Sequence, residues 1–188
     1  MIGMTESGKS TLGKLLAKQL VAQGKTVAVF DPIYDPDWVA TFKTDDISEL
    51  REYLEKTRSV YVFVDESGEV FNEGNDTSNA WLATRSRHYG HSCFFLAQRA
   101  IQVPKTMRDQ CGKLFLFTSS ASDGMIHCEE WNKQELRRCN ELPQMHFYTG
   151  TRFGTLERME IVRFKDIRKV EAADEGAKEK PKNRSRRA

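Results

Sequence analysis

Nine residues near the start, GMTESGKST from Gly3 to Thr11, constrain this chain more than any other stretch. Gly3, Gly8, Lys9 and Ser10 satisfy the spacing G-x-x-x-x-G-K-[ST] of a phosphate-binding loop. The glycines let the backbone curl until its N–H groups point at one anion. A helix starting directly behind adds its positive N-terminal end. That helix is legible, because Leu12, Leu15, Leu16 and Leu20 share one helical face and Gly24 supplies a stop. Such a loop normally follows a strand, yet only Met1 and Ile2 precede Gly3. The expectation is either a very short first strand or a true start further upstream.

The rest of the chain alternates strand and helix patterns. TVAVFD ends a buried strand at Asp31, and Asp45 to Thr57 reads as an amphipathic helix with Ile47, Leu50, Tyr53 and Leu54 inward. SVYVFVDES is too uniformly apolar for one-sided burial and fits the centre of a covered parallel sheet. A helix over Asp76 to His88, a strand SCFFLAQ, a short helix Pro104 to Gln110 and a strand KLFLFTSS follow. Ser122 to Glu141 reads as mostly helical, and MHFYTGTRFGTLERMEIVRF as two strands around a turn. The fold class is therefore α/β, a mostly parallel sheet sandwiched by helices with a C-terminal β-hairpin. Residues 1–164 form the domain, and 165–188 read as a charged basic tail.

Residue types at the strand ends carry the chemistry. Gly3, Thr5, Glu6, Ser7, Gly8, Lys9, Ser10 and Thr11 are the expected cradle for ATP, with Lys9 neutralising the outer phosphates and Ser10 ligating Mg²⁺. Asp65 ends an apolar strand, where a carboxylate can hold Mg²⁺ through water. Glu66 follows it and is placed to polarise a water for attack on the γ-phosphate. That adjacent acid favours hydrolysis over transfer to a small acceptor. Gln98 ends the next apolar strand and, in a parallel neighbour, would lie beside the γ-phosphate. Arg85 and Arg87 are candidates for an arginine offered to a neighbouring copy's nucleotide. The bland alternatives are an acidic pair at a strand end, a polar strand terminus and ordinary surface arginines.

Composition excludes other classes. No apolar run approaches the ~20 residues of a membrane span, and Lys9 and Lys14 interrupt any secretory pattern. A cytoplasmic protein is expected. Cys93, Cys111, Cys128 and Cys139 contain no C-x-x-C pair, which argues against a zinc site and for reduced thiols. The net charge is +2, but the last eleven residues, KEKPKNRSRRA, hold six Lys/Arg against one Glu. A basic tail on a mildly acidic body points to a polyanion contact, or to a solvated extension.

The order of the phosphate loop, the Asp65–Glu66 pair and Gln98 resembles the additional-strand, catalytic-glutamate P-loop ATPases. Within them, TRSRHYGHSCFFLAQRAIQVPKTMRDQCGKLFLFTSS resembles the FtsK/HerA superfamily, in its apolar strand ending in Gln-Arg, its Val-Pro, its short basic helix and its following strand. The compact size is similar to the genome-packaging ATPases of phages and membrane-containing viruses. At this length, neither the N-terminal barrel of HerA, nor the membrane domain of FtsK, nor a C-terminal winged helix or nuclease is expected. The resemblance covers Met1 to Phe164. It implies Lys9 and Ser10 on phosphate and Mg²⁺, Asp65 on Mg²⁺, Glu66 as base and Gln98 as sensor. It also implies a ring of five or six copies around double-stranded DNA, in the host cytoplasm or on the virion, with a portal or capsid vertex protein as partner. Lys105 and Arg108 are candidate DNA contacts, while the acidic NEGND at 72–76 is a poorer one. The competing expectations are a conjugation or assembly ATPase of the same superfamily, a small-molecule kinase, and a nucleotide-binding module without turnover.

Overall fold

The computed structural model describes residues 1–71, 78–162 and 166–169. Four parallel strands stand in the order β2-β1-β3-β4: β1 (Val27–Phe30), β2 (Phe42–Thr44), β3 (Tyr61–Val64) and β4 (Ser92–Phe95). Four more, β5 (Lys113–Phe117), β6 (His146–Thr151), β7 (Leu156–Val162) and β8 (Asp166–Lys169), form an antiparallel sheet in sequence order. β6 and β7 are the expected hairpin. The charged tetrapeptide of β8 extends the sheet past residue 164, into residues whose composition reads as tail. The basic segment beyond it lies outside the described residues.

Ile2 joins the two sheets. It bridges in parallel to Ala97 on one side and Leu116 on the other. Ile2 N donates to Phe115 O at 2.9 Å, Phe117 N to Ile2 O at 2.8 Å, and Ala97 N to Met1 O at 3.0 Å. Met1 and Ile2 thus lie between the two sheets and lead straight into the phosphate loop.

Pleating divides the strand residues between two layers. Ala28, Phe30, Val62 and Val64 pack with Leu50 and Leu54 of α2 (Ile47–Lys56). Val27, Val29 and Phe63 point the other way, against Ala17 of α1 (Lys9–Ala22) and Trp38. Leu12 of α1 also reaches Phe115, Phe117, Phe147 and Ile161, so one helix covers the junction of both sheets. Phe63 and Phe94 stack with centroids 4.6 Å apart. Burying each such side chain stabilises the fold by about 1.5–3 kcal/mol.

The helix expected over Asp76 to His88 is broken. Its described part is a 3-10 turn Ser78–Ala80, a single α turn, α4 (Trp81–Thr84), and another 3-10 turn Ser86–Tyr89. The side chains explain it. Thr84 and Ser86 donate their hydroxyls to the carbonyls of Ala80 and Leu82, competing with the backbone ladder. After α5 (Lys105–Gln110), α6 (Ala121–Trp131) also stops early, because Asn132 turns left-handed at φ 52° and closes it; 3-10 structure continues over Gln134–Glu141. α3 (Ser67–Phe71) follows β3 directly. Among the described residues, no helix is long and apolar enough to cross a membrane.

Candidate nucleotide site

The loop from Gly3 to Gly8 sits at the C-terminal ends of the parallel strands, where α/β sheets open a crevice. Its shape requires its glycines. Gly8 lies at φ 108°, and a Cβ on Gly3 would stand 2.6 Å from Phe117 Cβ. Outside contacts hold the curve. Gly3 N donates to Ala97 O, Met4 N to Thr118 O, and Met145 N to Ser7 O at 3.0 Å.

Anion-binding capacity is present and unused by the protein itself. No side chain caps α1, and the first-turn amides of Lys9, Ser10 and Thr11 precede the Leu12 N to Gly8 O bond of 2.9 Å. Ser7 Oγ is buried without a partner. Such orphan donors, next to Lys9, are what a phosphate would satisfy. The buried Lys9 lies 3.5 Å through Nζ from Ser10 Oγ.

Asp65 stands at the end of β3, 8% exposed. Burial pushes its carboxyl above the usual range, while the charge of Lys9 and the N–H of Glu66, 3.0 Å from its Oδ1, pull the other way. A carboxylate so placed and Ser10 Oγ fit a Mg²⁺ ion, which would remove the electrostatic cost of ionising Asp65. Asp31, at the end of neighbouring β1, is paired with Lys43 at 3.0 Å and adds negative potential toward Asp65.

Glu66 occupies a left-handed turn at φ 44°. Ser67 fixes that turn by donating both its N–H and its Oγ to Leu96 O, each at 2.8 Å. The strained backbone, costing about 1 kcal/mol, lifts the Glu66 side chain toward the end of β4. There Gln98 Nε2 donates to Glu66 Oε2 at 3.3 Å. β3 and β4 are parallel neighbours, so the two expected residues meet as the strand order requires.

Sequence reasoning missed what supports this pair. Gln102 Oε1 accepts from the N–H groups of Gln98 and Arg99, at 3.0 and 2.9 Å. Asp123, wholly buried at the start of α6, accepts from Arg99 Nε at 2.8 Å, Ala100 N at 2.9 Å and Ser119 Oγ at 3.0 Å, and also from Ser120 Oγ. Burial would raise its carboxyl; these hydrogen bonds together hold it below the usual range. The only advance signal is the Ser-Ser-x-x-Asp pattern at 119–123, which reads as a helix start. Gln144 and Met145 also close the cleft beside the loop, whose walls enclose about 280 Å³. A separate cavity of about 400 Å³ lies toward the other end of the sheet, bounded by Cys93, Cys111, His127 and Trp131. The four cysteines are free thiols.

Two sets of arginines separate. Arg85 and Arg87 are exposed, near the starts of β3 and β4, opposite the loop, and their hydrogen bonds to described residues are made by the backbone. Arg99 is held by Asp123. Arg108 is half-buried against Glu130, with Nη2 2.7 Å from its Oε1, and donates to Ala100 O at 2.9 Å. It is a structural cation and not a free DNA contact. Lys105 is exposed and, among the described residues, pairs with Asp109. The NEGND segment lies outside the described residues.

No protein-family model matches the sequence, and no curated protein matches it either. Solved structures do. The genome packaging NTPase B204 from Sulfolobus turreted icosahedral virus 2, in complex with AMPPCP, superposes with a TM-score of 0.70 at 16% identity. The match spans 86% of this chain and 95% of that one. B204, the DNA-packaging ATPase from Sulfolobus turreted icosahedral virus, gives 0.71 at 13%, over 86% and 96%. This chain shares the fold of these packaging NTPases. The conjugation coupling protein TcpA of pCW3, with ATPγS, matches at 0.64 and 17% identity, over 88% of this chain and 60% of that one. The cytoplasmic domain of the Thermomonospora curvata Type VII secretion ATPase EccC matches at 0.60 and 14%, over 85% and 24%.

Proposed function

We propose that this chain is an ATP-hydrolysing motor that translocates double-stranded DNA, in the manner of a viral genome-packaging ATPase. The observation that carries the reading is Glu66 hydrogen-bonded to Gln98, beside Asp65 and the Lys9 loop. Transfer to a small bound acceptor does not need a base at that place, whereas hydrolysis needs a carboxylate to take a proton from water.

In the proposed cycle the loop amides, Lys9 and Thr11 bind the triphosphate. Ser10 and Asp65 would hold Mg²⁺, which would supply neutralisation of the phosphate charge. Glu66 accepts a proton from the attacking water. Gln98 holds Glu66 until a γ-phosphate competes for its amide, which frees the carboxylate for the water. The supporting contacts carry that event onward, since Gln98 and Arg99 share Gln102 and Arg99 reaches α6 through Asp123. Arg85 or Arg87 is the arginine for an adjacent copy in a ring of five or six, a role their exposure favours. DNA is gripped through its phosphates without base reading. A portal or capsid vertex protein is the docking partner, and the host cytoplasm or virion the setting.

The likeness to TcpA and EccC favours one second reading, a conjugation or secretion ATPase moving DNA or protein. ATP turnover with and without long double-stranded DNA, at low and moderate salt, separates the two. Salt-sensitive stimulation abolished in Glu66→Gln is expected. Turnover indifferent to DNA moves the assignment to a protein substrate, and ATP binding without turnover overturns the motor reading.

A further inference from the structure

Gln144 and Met145, at the entry to β6, bind the phosphate loop from outside. Gln144 Nε2 donates to Glu6 O at 2.9 Å, and Met145 N donates to Ser7 O at 3.0 Å. Two successive loop carbonyls are therefore held by two successive residues from the far end of the chain. Met145 adopts φ 66°, a left-handed conformation rare for a side chain of its size. That conformation lays its thioether beside the loop, where a Cβ on Gly8 would stand 2.7 Å from Met145 Sδ. With Met4, Ser10 and Thr11, the pair forms the wall of the cleft.

We propose that Gln144 and Met145 are the nucleobase platform of this site and select adenine over guanine, an assignment that rests on the nucleotide-binding reading above. With the phosphates on the loop amides and the α-phosphate near Thr11, the rest of the nucleotide must leave along the remaining wall. A thioether is a polarisable surface suited to the face of a flat ring. The orientation of the Gln144 amide follows from its bond to Glu6. Its NH₂ is on a carbonyl oxygen, and a flip would set oxygen against oxygen. The free Oε1 is therefore an acceptor facing away from the loop. Adenine offers a matching donor in its exocyclic amine, whereas guanine has a carbonyl oxygen at the same ring position.

Binding of Mg·ATP, Mg·GTP and Mg·tripolyphosphate by titration calorimetry tests this on the full chain. ATP is expected to bind about tenfold or more tightly than GTP, the discrimination a single well-placed polar contact supplies. Gln144→Ala should bring the ratio toward one and weaken tripolyphosphate far less than ATP. Met145→Gly, which keeps the backbone N–H and suits the positive φ, should weaken both nucleotides and spare tripolyphosphate. Equal binding of ATP and GTP by the unaltered chain overturns the platform alone. So do variants that weaken tripolyphosphate as much as ATP. Failure of all three ligands to bind overturns the nucleotide reading with it.

Discussion

Gln98 and Glu66 meet across two adjacent strand ends, the amide of one donating to the carboxylate of the other at 3.3 Å. Neither is held by this contact alone. The Gln98 backbone is fixed by Gln102 and the Glu66 turn by Ser67, so the pair is prepared from both sides.

Glu66→Gln is expected to lower ATP turnover by about 10²–10⁴-fold while leaving Mg·ATP affinity within a few-fold, because only the proton acceptor is lost. Gln98→Ala should also lower turnover, but with weakened Mg·ATP binding, since its amide is the group a γ-phosphate would engage. Steady-state rates beside equilibrium binding separate the two effects.

Asp65 gives opposite pH trends with and without ligand. Its carboxyl is raised by burial in the fold. The folded state therefore keeps its proton longer than the unfolded chain does. Stability of the free protein should decline as pH rises from the ordinary carboxylate range through the raised one, whereas Mg·ATP affinity should climb over the same interval. Asp65→Asn is expected to raise the melting temperature of the free protein and abolish the Mg²⁺ dependence of ATP binding. Thermal melts with and without Mg·ATP read both.

Asp123 runs the other way. Its carboxyl is held low by four donors, so its contribution is present above the ordinary carboxylate range and is lost as pH falls below it. Asp123→Ala leaves Arg99 and the Ala100 amide without their acceptor. The expected cost is about 3 kcal/mol, which a chain of this length shows as a melting temperature lower by about 6–12 °C. Chemical denaturation at neutral and acid pH checks the size and the window.

His127 is neutral in the fold, because burial lowers its imidazole to about 4, and neither ring nitrogen has a hydrogen-bond partner among the described residues. The unfolded chain takes up a proton there near pH 6.5 and the folded one does not. Stability should therefore fall as pH drops from 6.5 toward 4, by about 2 kcal/mol between 6.5 and 5. His127→Leu should flatten that slope. Urea midpoints at the two pH values decide it.

The site core was legible because its residues sit where strands end. Lys9, Asp65, Glu66 and Gln98 each close an apolar run or a glycine pattern, and the parallel order of β3 and β4 brings the last two together. Gln144 could not be read, since it touches Glu6 across 138 residues with no pattern to announce it. β2 and β8 were hidden by length and charge, as three or four residues such as FKT or DIRK carry too little period to stand out. The break in the helix expected at 76–88 came from two hydroxyls whose preference for carbonyls four residues back outweighs a helical apolar pattern.

Ile2 remains the narrowest part of the architecture. The two four-stranded sheets of the described residues are zipped together by the backbone of the residues that lead into the phosphate loop, so the seam runs directly into the gripping element. Whatever clamps the loop also clasps the two halves of the molecule. Nucleotide occupancy should then register as slower amide hydrogen exchange at Ile2, Ala97 and Phe117, and an emptied loop as a looser joint between the half that carries Glu66 and the half that carries the hairpin.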